Sequence, residues 1–260
     1  MTRQNAVTIF PFIRLTSPNV GKMKIQYLFT LMLLTCFFGC AAQENEQSEI
    51  YTYKKGDPNG IGKWYMGRQI AYVMGYQGIS WLERATREKE ERTSLLIENM
   101  NLKPNEVIAD IGAGSGYHVF KIAPKVSPGK VYAVDIQREM LAAIQMKMNK
   151  QGISNIETVR GTEESVNLPE KSLDKVLLVD VYHEFSFPYE TMHSIKKALK
   201  PNGKVYLIEY RAEDRSVPIK EIHKMTEKQA VKEMKAVGFK LKENISNLPW
   251  QHCMVFVLDK

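Results

Sequence analysis

Three glycines in a short stretch give the sequence its clearest chemical signal. They directly follow the apolar run 107–111, which contains Asp110, and they fall at Gly112, Gly114 and Gly116. The run is short and β-branched, which predicts a buried strand, and residues 117–126 have a helical pattern. A glycine turn between strand and helix brings backbone N–H groups close to a ligand, because no Cβ obstructs the approach. The stretch predicts a ligand-binding loop; a glycine-rich turn without a ligand is the alternative.

The glycine spacing distinguishes between kinds of nucleotide site. A dinucleotide fingerprint anchored at Gly112 needs glycine at 117, where the chain has Tyr117, and no Gly-Lys-Ser/Thr of a phosphate loop follows. The observed D-x-G-x-G-x-G resembles motif I of the class I S-adenosylmethionine (SAM) methyltransferases. The resemblance implies that the three glycines accommodate the methionine part of the cofactor SAM. It also implies that Asp110 supports the loop or meets the cofactor's amino group.

A second strand, residues 130–136, carries an acidic residue at its end. Asp135 lies 19 residues after Gly116, where a carboxylate can hold both hydroxyls of a nucleoside ribose. The alternative is a helix N-cap, since a helical pattern begins at Gln137. We predict the ribose role.

Two further segments complete the expected cofactor site. Relatives often have Gly-Asp-Ala-Glu where this chain has Gly-Thr-Glu-Glu, so the resemblance assigns the adenine contact to Thr162, to the backbone of Glu163 or to a carboxylate shifted by one position. The fourth expected strand, within residues 172–181, places Asp180 near its end. Ligands of open α/β sheets lie beyond the carboxyl ends of the strands, so Asp180 is also a candidate cofactor contact.

The tetrapeptide after this strand offers groups for proton transfer. His183 has an ordinary pKa near working pH, and the adjacent Glu184 can orient it. The pair is the catalytic candidate; a packing role for the histidine is the alternative, because relatives often carry a histidine here without a proven base role. Three other residues near the expected ligand side are candidates for contacting substrate: Tyr117, Tyr210 and His223.

The order of elements predicts the fold. Five strand–helix units followed by a terminal pair of strands predict a Rossmann-like α/β fold, with a seven-stranded, mostly parallel sheet, helices on both faces and an antiparallel terminal strand. A capping box at Thr226 and Gln229 marks the start of the last helix. We assign residues 101–260 to the SAM-binding domain and residues 61–100 to an N-terminal helical cap. The charged run 84–92 reads as a solvated helix face.

Composition excludes several partners. The net charge of +7 is concentrated in residues 1–39, and the remainder carries 32 basic and 29 acidic side chains, so nothing indicates nucleic-acid binding. The Asn-Pro-Pro-Tyr signature of methylation on bases is also missing. The three cysteines form no Cys/His cluster, and we predict no metal site.

The amino-terminal region resembles a bacterial lipoprotein signal. An apolar run from 27 to 38 follows lysines and leads to Cys40, the residue that would be lipidated. Phe37 replaces the usual leucine three residues before that cysteine. Residues 1–40 are therefore assigned to a signal and residues 41–60 to a flexible tether, which predicts a membrane-associated lipoprotein of the cell envelope. An uncleaved anchor with the domain facing the cytoplasm is the alternative.

Three functions compete. The overall resemblance is to small-molecule methyltransferases of the type-11, quinone-biosynthesis-like kind, which implies methyl transfer to a small or lipidic acceptor. The alternative is a lipoprotein that keeps the fold as a binding module without turnover, because SAM is made in the cytosol. A nicotinamide-dependent oxidoreductase is disfavoured by Tyr117.

Overall fold

A seven-stranded mixed sheet organises the protein. The computed structural model describes residues 50–260. The strands of this sheet are β4 (Val107–Ile111), β5 (Lys130–Asp135), β6 (Ile156–Arg160), β7 (Leu173–Val179), β8 (Leu199–Arg211), β10 (Phe239–Asn244) and β11 (Gln251–Leu258), and a two-residue strand, β9 (Lys224–Met225), pairs with β8. Their order is β10-β11-β8-β7-β4-β5-β6, with β11 antiparallel to both of its neighbours. The predicted fold class is confirmed.

The strand order creates the ligand cleft. The chain starts this sheet at β4 in the middle, builds outward through β5 and β6, and then returns to place β7 on the other side of β4. The crossovers after β4 and β7 therefore leave in opposite directions, which opens a crevice at the carboxyl ends of the strands. The glycine loop, Asp135 and Asp180 all stand at this end.

Helices cover both faces of the sheet. They are α1 (Ile79–Leu82), α2 (Arg87–Glu91), α3 (Thr93–Asn99), α4 (Val119–Ile122), α5 (Arg138–Gln151), α6 (Pro188–Ala198) and α7 (Glu227–Ala236). One apolar cluster packs α6 and α7 against the sheet, and a second packs α3, α4 and α5 against the opposite face. The backbone N–H of Gln229 donates to the Thr226 hydroxyl at 3.1 Å, so Thr226 caps α7 as predicted. The Gln229 side chain instead donates to Met66 and Glu233, so the reciprocal half of the predicted capping box is not formed.

The prediction of a wholly helical segment at 61–100 is wrong in its first part. A three-stranded antiparallel sheet, β1 (Tyr51–Tyr53), β2 (Gly60–Tyr65) and β3 (Arg68–Ala71), precedes the short helices α1 to α3. Met66 and Gly67, which connect β2 to β3, both have positive φ values, 49° and 97°. A two-residue turn of this kind matches the twist of a hairpin.

The predicted tether is also too long. Tyr51 is 1% exposed and pairs with Tyr65, so a strand occupies part of the 41–60 segment. The Tyr51 hydroxyl donates to Glu190 on α6, and its ring packs edge-on against Phe187. Aromatic burial thus fixes residues whose polar neighbours suggested a flexible chain.

The predicted signal, including Cys40, lies outside the described residues, as does the tether before residue 50. Within residues 50–260, no helix has the length and apolar character needed to cross a membrane.

Candidate active site

The glycine loop between β4 and α4 turns through three left-handed residues. Gly112, Gly114 and Gly116 have φ values of 70°, 54° and 79°. A Cβ on Gly112 would lie 2.4 Å from Val181, and one on Gly114 would lie 2.6 Å from Leu82. Both glycines line a cleft, whereas a Cβ on Gly116 would meet the side chains of Phe120 and Ile144. The loop conformation and the space above it therefore both require glycine at 112 and 114.

Asp135 at the end of β5 fastens this loop. Its Oδ2 accepts the N–H of Gly114 at 2.9 Å, and its Oδ1 accepts the N–H of Gln137 at 2.8 Å. Burial raises the pKa of this carboxyl, and the backbone donors act against that rise. Each carboxylate oxygen keeps a further lone pair, so Asp135 can support the loop and still accept ribose hydroxyls.

The cleft above the loop has the form of a small-molecule site. The empty space in it, counted out to its open mouth, is about 830 Å³. Its lining includes Asp135, Thr162, Glu163 and Asp180, four of the predicted cofactor residues. The Thr162 hydroxyl accepts the backbone N–H of Ser165 at 3.0 Å, which leaves Glu163 as the freer side chain of the pair.

A segment of the N-terminal region covers this cleft. The Gln137 side chain accepts the N–H of Tyr76 at 2.7 Å and donates to the carbonyl of Met74 at 3.0 Å. The N–H of Met74 donates to Glu184 at 3.1 Å. These bonds form an apolar cover over the cleft, made of Val73, Met74 and Leu82. The sequence predicts that helices alone form such a cap.

Two buried carboxyl groups near the loop have unpartnered oxygens. Oδ2 of Asp110 and Oδ1 of Asp180 have no hydrogen-bond partner among the described residues. Burial raises the pKa of Asp110 to about 7, although Arg87 acts against the rise, and burial raises the pKa of Asp180 well above its usual value. Asp110 stands behind the loop and does not line the cleft; Asp180 lines it. The unpaired oxygen of Asp180, beside a glycine cradle, fits a ligand that brings an amino group, as SAM does.

A second cleft adjoins the first. The two share five lining residues, namely Met74, Leu82, Val179, Asp180 and Glu184. The second cleft is also lined by His183, Tyr210 and His223. The catalytic candidates and two of the three substrate candidates therefore meet there. Tyr117 lies outside both clefts, between Arg87 and Lys121, with its ring centroid 4.5 Å from the Arg87 guanidinium. This placement differs from the predicted substrate contact.

His183 is held between two partners. Its Nδ1 lies 2.6 Å from Oε2 of the fully buried Glu209, and its Nε2 lies 3.0 Å from Nδ1 of His223.

The titratable groups of this cluster have shifted pKa values. Burial alone would lower the pKa of His183, but the Glu209 carboxylate reverses this effect and raises the pKa. Burial and the neighbouring His183 lower the pKa of His223 to about 4. Burial raises the pKa of Glu184.

The charged run 84–92 is only in part the solvated face that the sequence predicts: Glu88, Lys89 and Arg92 are exposed. Arg87 and Glu91 are 4% and 2% exposed and are joined at 2.8 Å. Glu91 also pairs with Arg84 and accepts the Tyr210 hydroxyl at 2.9 Å. These side chains line the second cleft, and no periodicity could reveal this, because their partner comes from a distant strand.

A family model described as a methyltransferase domain matches residues 102–252. The chain belongs to this family. The predictions of a methyltransferase and of SAM as its cofactor agree with this assignment.

Curated relatives match a central part of the chain. The uncharacterized methyltransferase YcgJ of Bacillus subtilis is 26% identical over 122 residues, which are 47% of each protein. The ubiquinone/menaquinone biosynthesis C-methyltransferase UbiE of Ectopseudomonas mendocina is 26% identical over 116 residues, 44% of this chain and 45% of the relative. The chain thus spans about half the length of the curated relatives it matches.

A solved structure is similar over a longer range. The SAM dependent methyltransferase from Aquifex aeolicus superposes with a TM-score of 0.67 at 22% identity and covers 71% of this chain and 98% of its own. At this level of identity the likeness concerns the fold.

Proposed function

We propose that the protein transfers a methyl group from SAM to a small or lipidic acceptor. The observation that carries the proposal is the shared wall of the two clefts, formed around Asp180 and Glu184. One cleft contains the glycine loop and Asp135, and the other contains titratable and aromatic side chains. A cofactor and an acceptor bound on either side of this wall would be neighbours, which is the positioning that methyl transfer requires.

The cofactor side is assigned as follows. Gly112 and Gly114 would lie under the methionine part of SAM, Asp135 would accept the ribose hydroxyls, and Glu163 would lie beside the adenine. Asp180, with its unpartnered oxygen, would face the amino group. SAM supplies an activated methyl group, so the chain's own groups have to bind, orient and exclude water.

The proton-handling side of the site is the cluster of His183, Glu184 and His223. Glu209 fixes the orientation of the His183 ring, because it accepts from Nδ1 and so directs Nε2 into the second cleft. The cluster can then take the proton of an acceptor hydroxyl or a neighbouring acidic group. Glu184 has a second task, since it also accepts from the cover segment at Met74.

The second cleft favours an acceptor with a flat apolar body. Trp81 and Tyr72 line it and are 45% and 57% exposed. The guanidinium of Arg84 lies 3.8 Å from the centroid of the Trp81 ring, which forms a flat cationic face against which an aromatic ring can stack. The similarity to a ubiquinone/menaquinone biosynthesis C-methyltransferase also favours a flat aromatic acceptor. Hydroxylated aromatic and quinol-like compounds are therefore the first acceptors to test.

The activity test uses methyl-labelled SAM and a panel of quinol-like and lipid-like acceptors. We expect labelled product with the wild-type chain. His183→Ala should lower turnover much more than it lowers SAM affinity. Equal turnover in this variant would limit His183 to packing, and a folded chain that binds SAM but methylates no acceptor of any class would favour the binding-module alternative.

The N-terminal segment is proposed to attach the protein to a membrane, with Cys40 lipidated. Mass spectrometry of the mature amino terminus tests this: a diacylated or triacylated Cys40 supports export as a lipoprotein. An intact segment before Cys40 in the membrane fraction would instead support the uncleaved anchor, and recovery of the intact chain from the soluble fraction would contradict both.

A further inference from the structure

Three side chains converge on the wall of the second cleft with donor atoms that suit a metal ion. Nε2 of His183, Nδ1 of His223 and a carboxylate oxygen of Glu184 all lie within 4.8 Å of one another. The two imidazole nitrogens are 3.0 Å apart, and each lies 3.8 Å from Oε1 of Glu184. His183 and His223 are 40 residues apart in sequence, so no spacing motif announces the cluster.

Glu209 gives His183 the support that metal-binding histidines commonly have. The carboxylate lies 2.6 Å from Nδ1 of His183 and also accepts the backbone N–H of Tyr182 at 2.9 Å. Glu209 is completely buried, so its position is fixed. A histidine held at one nitrogen by a carboxylate presents the other nitrogen's lone pair, which is the usual arrangement behind a metal ligand.

We propose that His183, Glu184 and His223 bind a divalent cation of the zinc class. Two imidazoles and one carboxylate are a ligand set that zinc and related transition metals accept when further coordination positions stay open. The carboxylates of Glu184 and Glu209 balance the charge of a dication. Arg68, whose guanidinium donates to the carbonyl of His183, already forms a bidentate pair with Glu233.

The distances suit this ion. Ligand atoms about 2.1 Å from zinc and about 90–109° apart are separated by roughly 3.0–3.4 Å. The two nitrogens already have this separation, and the Glu184 oxygen reaches it with a shift of less than about 1 Å. Glu184 can make such a shift, because its other oxygen is held only by the N–H of Met74.

The open side of the cluster faces the second cleft. His223 has 26% of its side chain exposed and Glu184 has 11%, whereas His183 is buried at 2%. A cation here would take an oxygen of the acceptor and lower the pKa of that hydroxyl, so that its proton leaves to solvent. This role rests on the proposed function; the binding of the cation does not.

A hydrogen-bonded histidine pair is the competing explanation. With His183 donating to Glu209, its Nε2 would accept a hydrogen bond from the Nδ1–H of His223, and no metal would be needed. Zinc must displace that proton, so the two explanations differ in whether the chain retains zinc.

The experiment measures zinc bound by the purified full chain, loaded with Zn²⁺ alone and then dialysed. We expect about one zinc ion per chain, as for a single site. His223→Ala and Glu184→Gln should each lower zinc affinity at least tenfold, and Glu209→Gln should lower it about 10–100-fold without removing a ligand. His193→Gln, a half-buried histidine outside both clefts, should retain zinc like the wild type.

Thermal unfolding of each variant identifies losses of zinc affinity that are caused by misfolding. Because His223 is partly exposed, its replacement should disturb folding least among the three ligands. A wild type that retains no zinc, or folded His223→Ala and Glu184→Gln chains that retain it fully, would overturn the proposal. SAM titration of the zinc-free chain separates the two ideas. SAM binding without any zinc site leaves the proposed function standing, whereas zinc binding without SAM binding leaves only the metal site.

Discussion

Asp135 accepts the backbone N–H of Gly114 at 2.9 Å, so the end of the second parallel strand holds the loop that follows the first. The other oxygen of Asp135 holds the start of α5 through Gln137. One carboxylate therefore fixes both sides of the cofactor cleft before any ligand arrives. The N-cap of α5 is Gln137, so Asp135 holds the residue before the helix and does not cap it, and each of its oxygens has a lone pair to spare for a ribose hydroxyl.

Replacing Asp135 should weaken SAM binding through the loop as well as through the lost ribose contact. Asp135→Ala leaves two buried N–H groups without an acceptor, and we expect a loss of about 1–3 kcal/mol in SAM affinity. Asp135→Asn retains one acceptor oxygen and should lose less. Calorimetric titration measures both variants against Glu157→Gln, an exposed acid on the neighbouring strand. Unchanged affinity in Asp135→Ala would remove this residue from the site.

A side chain at Gly114 should fill the space between loop and cover. Gly114→Val places a Cβ 2.6 Å from Leu82 and forces a β-branched residue to a φ of 54°, so we expect SAM binding to be abolished. Gly152→Val is the matched control, since Gly152 has a φ of 67° and open space around it. Both variants place a β-branched residue at a positive φ, but only Gly114→Val puts its side chain into the cleft. Equal SAM affinities would show that the loop does not hold the cofactor.

The pH dependence of stability should report on Asp110. Burial raises the pKa of its carboxyl from 3.8 to about 7, so the folded state holds a proton that the unfolded chain releases above about pH 4. The contribution of this residue to the free energy of unfolding therefore falls as pH rises towards 7 and is level above it. Between pH 5 and pH 8 the wild type should lose about 2–3 kcal/mol relative to Asp110→Asn. Denaturant unfolding without SAM at several pH values measures this difference, and parallel curves would contradict the raised pKa.

The buried pair of Arg68 and Glu233 should couple the N-terminal sheet to the rest of the domain. Arg68 on β3 donates to both carboxylate oxygens of Glu233 on α7, at 2.8 and 2.9 Å, and also to the carbonyl of His183. Glu233→Leu strands a buried guanidinium and should cost about 3–5 kcal/mol of unfolding free energy. The double variant Arg68→Met/Glu233→Leu removes the stranded charge and should be more stable than the single variant. A single variant that costs less than about 1 kcal/mol would show that the pair does not hold the sheet.

The fold was predictable from local patterns, because apolar strands, glycine turns and capping residues each act over a few positions. The residues specified by such local patterns include Asp110, the three glycines and Asp135, because the loop motif and the end of the second strand together specify them. Tyr51 and the Met66-Gly67 turn were not recognised, because burial against Glu190 and Phe187 stabilises a sheet that its polar surroundings obscure.

The acceptor side depends on long-range contacts that periodicity cannot report. The charge pattern predicts that Arg87 and Glu91 are solvated, yet both are buried, and Glu91 accepts the hydroxyl of Tyr210 from β8. The sequence predicts His183 and His223 as separate candidates. Their ring nitrogens lie 3.0 Å apart, and Glu209 supports His183, only because β7, β8 and the loop after β8 meet in the fold. The cofactor side of this site therefore follows from sequence far better than the acceptor side.

The measurement that tests the central claim most directly is a calorimetric titration of the purified full chain with SAM and with S-adenosylhomocysteine. We predict saturable binding of both, at about one site per chain, that is lost in Gly114→Val and kept in Gly152→Val. A folded wild-type chain that binds neither compound would contradict the proposed methyltransferase.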